Sequence, residues 1–99
     1  MFKLVTPESI SLSDTKPGRF YISVSDYYSI LQVPETNTAK ILFRLHGVAG
    51  ERDHYTRVVA ITCKGELYQI AFENDIDVFE VSVNIAEVSF CLVGKVVNL

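Results

Sequence analysis

Apolar and polar residues alternate with a period of two along most of this chain, the mark of strands with one buried face. In Ser9–Ser13, Ile10 and Leu12 share a face; in Arg19–Val24, Phe20, Ile22 and Val24 point inward and Arg19, Tyr21 and Ser23 outward. Between these runs lies Asp14-Thr15-Lys16-Pro17-Gly18, where Pro fixes φ and Gly admits positive φ, so the two read as a first hairpin. Lys40–His46 alternates again, with Ile41, Phe43 and Leu45 inward and Arg44 and His46 outward.

The clearest element is Arg57–Cys63, then Lys64-Gly65, then Glu66–Phe72. With Lys64-Gly65 as a two-residue turn, Cys63 faces Glu66, Ile61 faces Tyr68 and Val59 faces Ile70. That register gathers Val59, Ile61, Tyr68, Ile70 and Phe72 on one core face. The other face, with Val58, Ala60, Thr62, Leu67 and Ala71, is too apolar for open water and calls for a second layer or a second subunit. Further on, Phe79, Val81 and Val83 alternate with Glu80, Ser82 and Asn84. Ile76 and Val78 are out of phase with them, which predicts a β-bulge near Val78-Phe79. Val88, Phe90 and Leu92 define another strand, and Val96-Val97 a short last one.

One stretch departs from the alternation. Ser25 or Asp26 can cap a short helix with Tyr27, Ile30 and Leu31 on one face, against a rival strand carrying Ser29, Leu31 and Val33. The helix is preferred. The sum is an all-β fold: a small antiparallel β-sandwich or partly open barrel of seven to nine short strands, with one short helix near 26–32. Ninety-nine residues suit a single domain, 1–99.

Composition sharpens this reading. Val, Ile and Thr number 13, 8 and 6 against five Ala, which argues against a helical bundle. At 48% hydrophobic and 21% charged the chain can bury a core, so disorder is excluded. The net charge of −3 offers no broad footprint for nucleic acid. Cys63 and Cys91 sit in apolar runs with no Cys-x-x-Cys spacing and read as reduced packing thiols, not zinc ligands or a redox pair. The N-terminus does not read as a signal peptide, and no apolar run approaches a membrane helix of about 20 residues. The expected location is the cytoplasm, with no membrane association.

Candidate chemistry concentrates in one place. From His46 to Arg57 the chain carries His46, Glu51, Arg52, Asp53, His54, Tyr55 and Arg57 around two glycines, on what should be one exposed inter-strand loop. His46, Asp53 and His54 are the residue types of a zinc or iron site, yet no third ligand is fixed by spacing, so no metal is expected. Arg52 and Arg57 suit an anion. Tyr21 beside Arg19, Lys40 and Arg44 suggests a base-stacking face, as in OB-like nucleic-acid binders. Glu73, Asp75, Asp77, Glu80 and Glu87 form an acidic stretch that suits either a basic partner or charged strand protection. No Gly-x-Ser-x-Gly elbow, Gly-rich phosphate loop or cofactor fingerprint is present.

These residues point first to a non-enzymatic protein-interaction module, an accessory or inhibitory protein that binds another protein and pairs with itself as a homodimer, without a cofactor. A small-ligand or nucleotide-binding domain using the 46–57 loop is the second reading, and an OB-like nucleic-acid binder the third.

Overall fold

The computed structural model describes residues 3–32, 39–46, 55–62, 64–84 and 89–98. The described elements are β1 (Lys3–Pro7), β2 (Ser9–Ser11), β3 (Phe20–Ser23), α1 (Val24–Gln32), β4 (Lys40–Arg44) and β5 (Tyr55–Thr62). They continue as β6 (Leu67–Glu73), β7 (Asp77–Asn84), β8 (Ser89–Leu92) and β9 (Gly94–Asn98). The class is all-β, with one short helix, as the alternation predicts. β1 and β9 form a two-stranded sheet; the other seven strands form one antiparallel sheet in the order β2-β7-β3-β4-β5-β6, with β8 also on β7.

Connectivity forces this sheet to curl. β6 runs into β7 through Asn74–Ile76, although β3, β4 and β5 lie between them in the sheet. In a flat sheet four strand spacings would separate them by about 19 Å. The connection from Glu73 to Asp77 reaches roughly 14 Å at most. The sheet therefore bends toward a barrel without closing. The bend is stitched where the ends approach: the Leu12 N–H donates to the Ile76 carbonyl (2.9 Å), and the Ser11 hydroxyl to the Asn74 carbonyl (2.6 Å). The Thr56 hydroxyl, itself buried, donates to Asn74 Oδ1 at 2.5 Å.

Both faces of the central strands are packed. On the concave side Leu12, Tyr21, Leu42, Val58, Ala60 and Val78 form one buried cluster, bordered by Ile10, Ile70, Phe72 and Ile76. On the convex side Ile22, Phe79 and Val81 form another, covered by Val24, Tyr27 and Ile30 of α1. This two-sided burial corrects several expectations. Tyr21, expected outside, is 1% exposed. Leu42, between the inward-reading Ile41 and Phe43, is buried on the concave side. The phase change at Val78-Phe79 is no bulge: β7 pairs in unbroken register with β2 and β3, and the two residues fill opposite faces. Nor do β2 and β3 form a hairpin, because β7 lies between them; Leu12 leaves the strand in a 3-10 turn (Leu12–Asp14) that sinks its side chain into the concave core.

The β5–β6 hairpin is shifted by one residue from its expected register. The Thr62 N–H donates to the Glu66 carbonyl (2.9 Å), and the Gly65 N–H to the Thr62 carbonyl (3.0 Å). Three residues of sequence, not two, separate Thr62 from Glu66, and Gly65 sits at φ +80°, where three-residue hairpin loops call for glycine. Val58 therefore faces Ile70, Ala60 faces Tyr68 and Ile61 faces Leu67. Val58 and Ala60 join Tyr68, Ile70 and Phe72 on the concave side, while Val59 and Ile61 fall on the convex side with Leu67 and Ala71.

α1 starts at Val24, capped by neither Ser25 nor Asp26. The Ser23 hydroxyl accepts the Asp26 N–H (3.1 Å), and the Asp26 carboxylate accepts the Lys40 N–H (3.2 Å), tying the helix to β4. Tyr27 lies edge-on to Phe79 with ring centroids 5.4 Å apart, whereas Leu31, expected to pack, is 59% exposed. Replacing Ser23 with Ala removes the cap acceptor and should cost about 1 kcal/mol, read as a lower urea midpoint at unchanged slope.

Candidate functional site

The structure describes three of the seven expected site residues, and it sets them at one end of the sheet. His46 is exposed just beyond β4, and Tyr55 and Arg57 are exposed on the first turn of pleat in β5, where the Leu45 N–H donates to the Arg57 carbonyl at 3.1 Å. Glu51, Arg52, Asp53 and His54 lie outside the described residues, as does Cys63. Tyr55 borders a 340 Å³ hollow completed by Glu73, Asn74 and Asp75. Among the described residues no three His, Cys, Asp or Glu side chains are grouped to hold a metal ion.

Other candidates are redistributed. Tyr21 cannot stack a base: its ring is buried and its hydroxyl accepts the Lys16 N–H at 2.9 Å. Of the acidic stretch, Glu73, Asp75 and Asp77 are exposed; Glu80 bonds Arg19 at 2.9 Å, an exposed pair of little energetic weight, and Glu87 lies outside the described residues. Cys91, expected to be a buried packing thiol, is exposed and free, because its position opposite Ser82 turns it away from the convex core.

Two features emerge that the alternation did not single out. The first is the mouth of the curled sheet, a cavity of 570 Å³ with Leu42, Phe72 and Ile76 as apolar wall and Ser23, Asp26, Lys40 and Asp77 among its polar lining. Lys40 reaches over the Tyr68 ring, its ammonium 5.6 Å from the centroid. The Tyr68 hydroxyl beside it is the main cause that raises the Lys40 pKa above its ordinary value, with burial opposing.

The second feature is the edge of β6. Because Thr62 bonds Glu66, residues of the same parity (Tyr68, Ile70, Phe72) turn their backbone groups toward β5. Leu67, Gln69, Ala71 and Glu73 then turn their N–H and C=O groups outward, where no described strand meets them. Leu67 is 66% exposed and Tyr68 36%. A signal for this edge stood in the sequence, since Leu67–Phe72 carries no charge and no Pro between Glu66 and Glu73.

Comparison with protein-family models, with curated proteins and with solved structures yields no match to this chain. Its function must be read from the site itself. Among the described residues no helix is long and apolar enough to cross a membrane.

Proposed function

We propose that this chain is a non-enzymatic protein-interaction module that works by strand addition at β6. One observation carries the reading: a seven-residue edge strand whose outward backbone groups meet no described partner and whose run from Leu67 to Phe72 is uncharged. Soluble proteins ordinarily blunt such an edge with lysine, proline, a bulge or brevity. The outer strands at the other side of the sheet are short: β2 has three residues and β8 four. β6 has none of these devices, so it is a template for a partner strand, with backbone hydrogen bonds for affinity and the exposed Leu67 and Tyr68 for selectivity. The partner is an extended protein segment, and homodimerisation is one form of the same pairing. A cytoplasmic setting fits a module that keeps Cys91 as an exposed free thiol.

A Gln69→Pro variant tests this. It deletes an outward N–H while leaving the β5 ladder intact, a position where edge strands accept proline. Cross-linking of partner proteins to residues 67–73 should fall at least tenfold, with the melting transition little changed. Undiminished cross-linking at those residues would exclude strand addition.

A small-ligand reading draws support from the 570 Å³ mouth, whose lining includes none of residues 46–57, and not from that loop, since apolar hollows at barrel mouths with a few polar groups commonly hold ligands.

A further inference from the structure

We propose that the strand added to β6 is β6 of a second copy of this chain, paired antiparallel about a two-fold axis through Ile70. This rests on the strand-addition reading above and names its occupant. An antiparallel partner must match outward-facing residues with outward-facing residues, so registers can differ only in steps of two. On β6 the outward set is Leu67, Gln69, Ala71 and Glu73, and it is symmetric about Ile70. In that register Gln69 pairs with the partner's Ala71, and Leu67 with the partner's Glu73, so all four residues of each copy exchange both backbone bonds. A step either way shortens the ladder, and in one direction it sets Phe72 against the partner's Glu66.

Side chains agree with the backbone. Directly opposed residues share a face, so on the concave side Tyr68 meets the partner's Phe72 and Ile70 meets the partner's Ile70. These three are the residues that line the open side of the concave cluster, where Ile70 and Phe72 are only partly buried and Tyr68 is exposed. The only charge within the strand is Glu73. The two copies of Glu73 stand at opposite ends of the new ladder, about 20 Å apart, beyond the Debye length of about 8 Å at physiological salt. A foreign strand would need the same uncharged run and the same apolar parity; a second copy supplies both by symmetry. Two curled sheets thereby become one continuous sheet, and each edge is removed by the other.

Light scattering after size exclusion should give twice the 11.1 kDa chain mass at tens of micromolar, and Gln69→Pro should return the single-chain mass. Amide exchange at Leu67, Gln69, Ala71 and Glu73 should slow as concentration rises, while Tyr68, Ile70 and Phe72 stay protected throughout by β5. In a Cys63→Ser, Cys91→Ser background, Ile70→Cys should oxidise to a covalent dimer, because facing non-bonded residues lie about 4.5 Å apart at Cα, within disulfide reach. Ala71→Cys should not. A single-chain mass with fast exchange of the four outward amides at every concentration overturns self-pairing, and a covalent dimer from Ala71→Cys but not Ile70→Cys overturns the register centred on Ile70. If the chain stays single but those amides slow when a different protein strand is captured, self-pairing fails and strand addition stands. If no partner slows them, both fail.

Discussion

A Val58→Arg variant will lose its cooperative unfolding transition. Val58 is 0% exposed in the concave core, between Ala60 and Thr56 on its own strand and opposite Arg44 and Ile70 on its neighbours. The new guanidinium would enter an apolar cluster directly across from an existing one, and like charges facing across strands repel. The surroundings have no acceptor to spare, since Arg44 Nε is already buried with no hydrogen-bond partner among the described residues. An uncompensated buried charge costs about 3–5 kcal/mol, a large part of the roughly 5–15 kcal/mol that holds a domain folded. Leu67→Arg, on the exposed end of the same hairpin, should stay within about 0.5 kcal/mol of the parent. Thermal melts followed by circular dichroism decide the matter. A Val58→Arg protein that melts like the parent would mean the hairpin has the other register, with Val59 inside.

Tyr21→Ala should destabilise by about 3–5 kcal/mol, the usual loss when a buried ring is cut to a methyl. The ring lies in the concave cluster on the strand between β7 and β4, so the neighbouring sheet cannot collapse into the void without breaking two ladders. Its hydroxyl also accepts the Lys16 N–H just before the Pro17-Gly18 turn. Tyr21→Phe separates the two contributions and should cost about 1 kcal/mol, the net worth of one hydrogen bond. Urea titrations of both variants give the comparison. Equal losses would place the energy in the hydrogen bond, and a negligible loss for Tyr21→Ala would show the ring to be outside the core.

The sequence by itself determined the class of this protein. Its Val, Ile and Thr content and its period-two alternation set an all-β fold of short strands, and the break in alternation near 26–32 marked the short helix α1. The uncharged run of β6 was equally present in the letters. What the tertiary structure alone decided is which face each strand shows to which neighbour. Alternation marks a face as buried only when the other is wet, and β3, β4 and β7 are covered on both sides. In such strands Tyr21 and Ile22, or Val78 and Phe79, are both core, and a change of phase looks like a bulge. The hairpin register turned on one residue of loop length, which local sequence left open between a two- and a three-residue connection. That step moved Val58 inward and Val59 outward. The insertion of β7 between β2 and β3, and the curl that leaves β6 with no described strand beyond it, depend on contacts across more than sixty positions, such as Ser11 to Asn74. No periodicity within a window of ten residues carries that information, because it is fixed by which distant strand completes the hydrogen bonds of each edge.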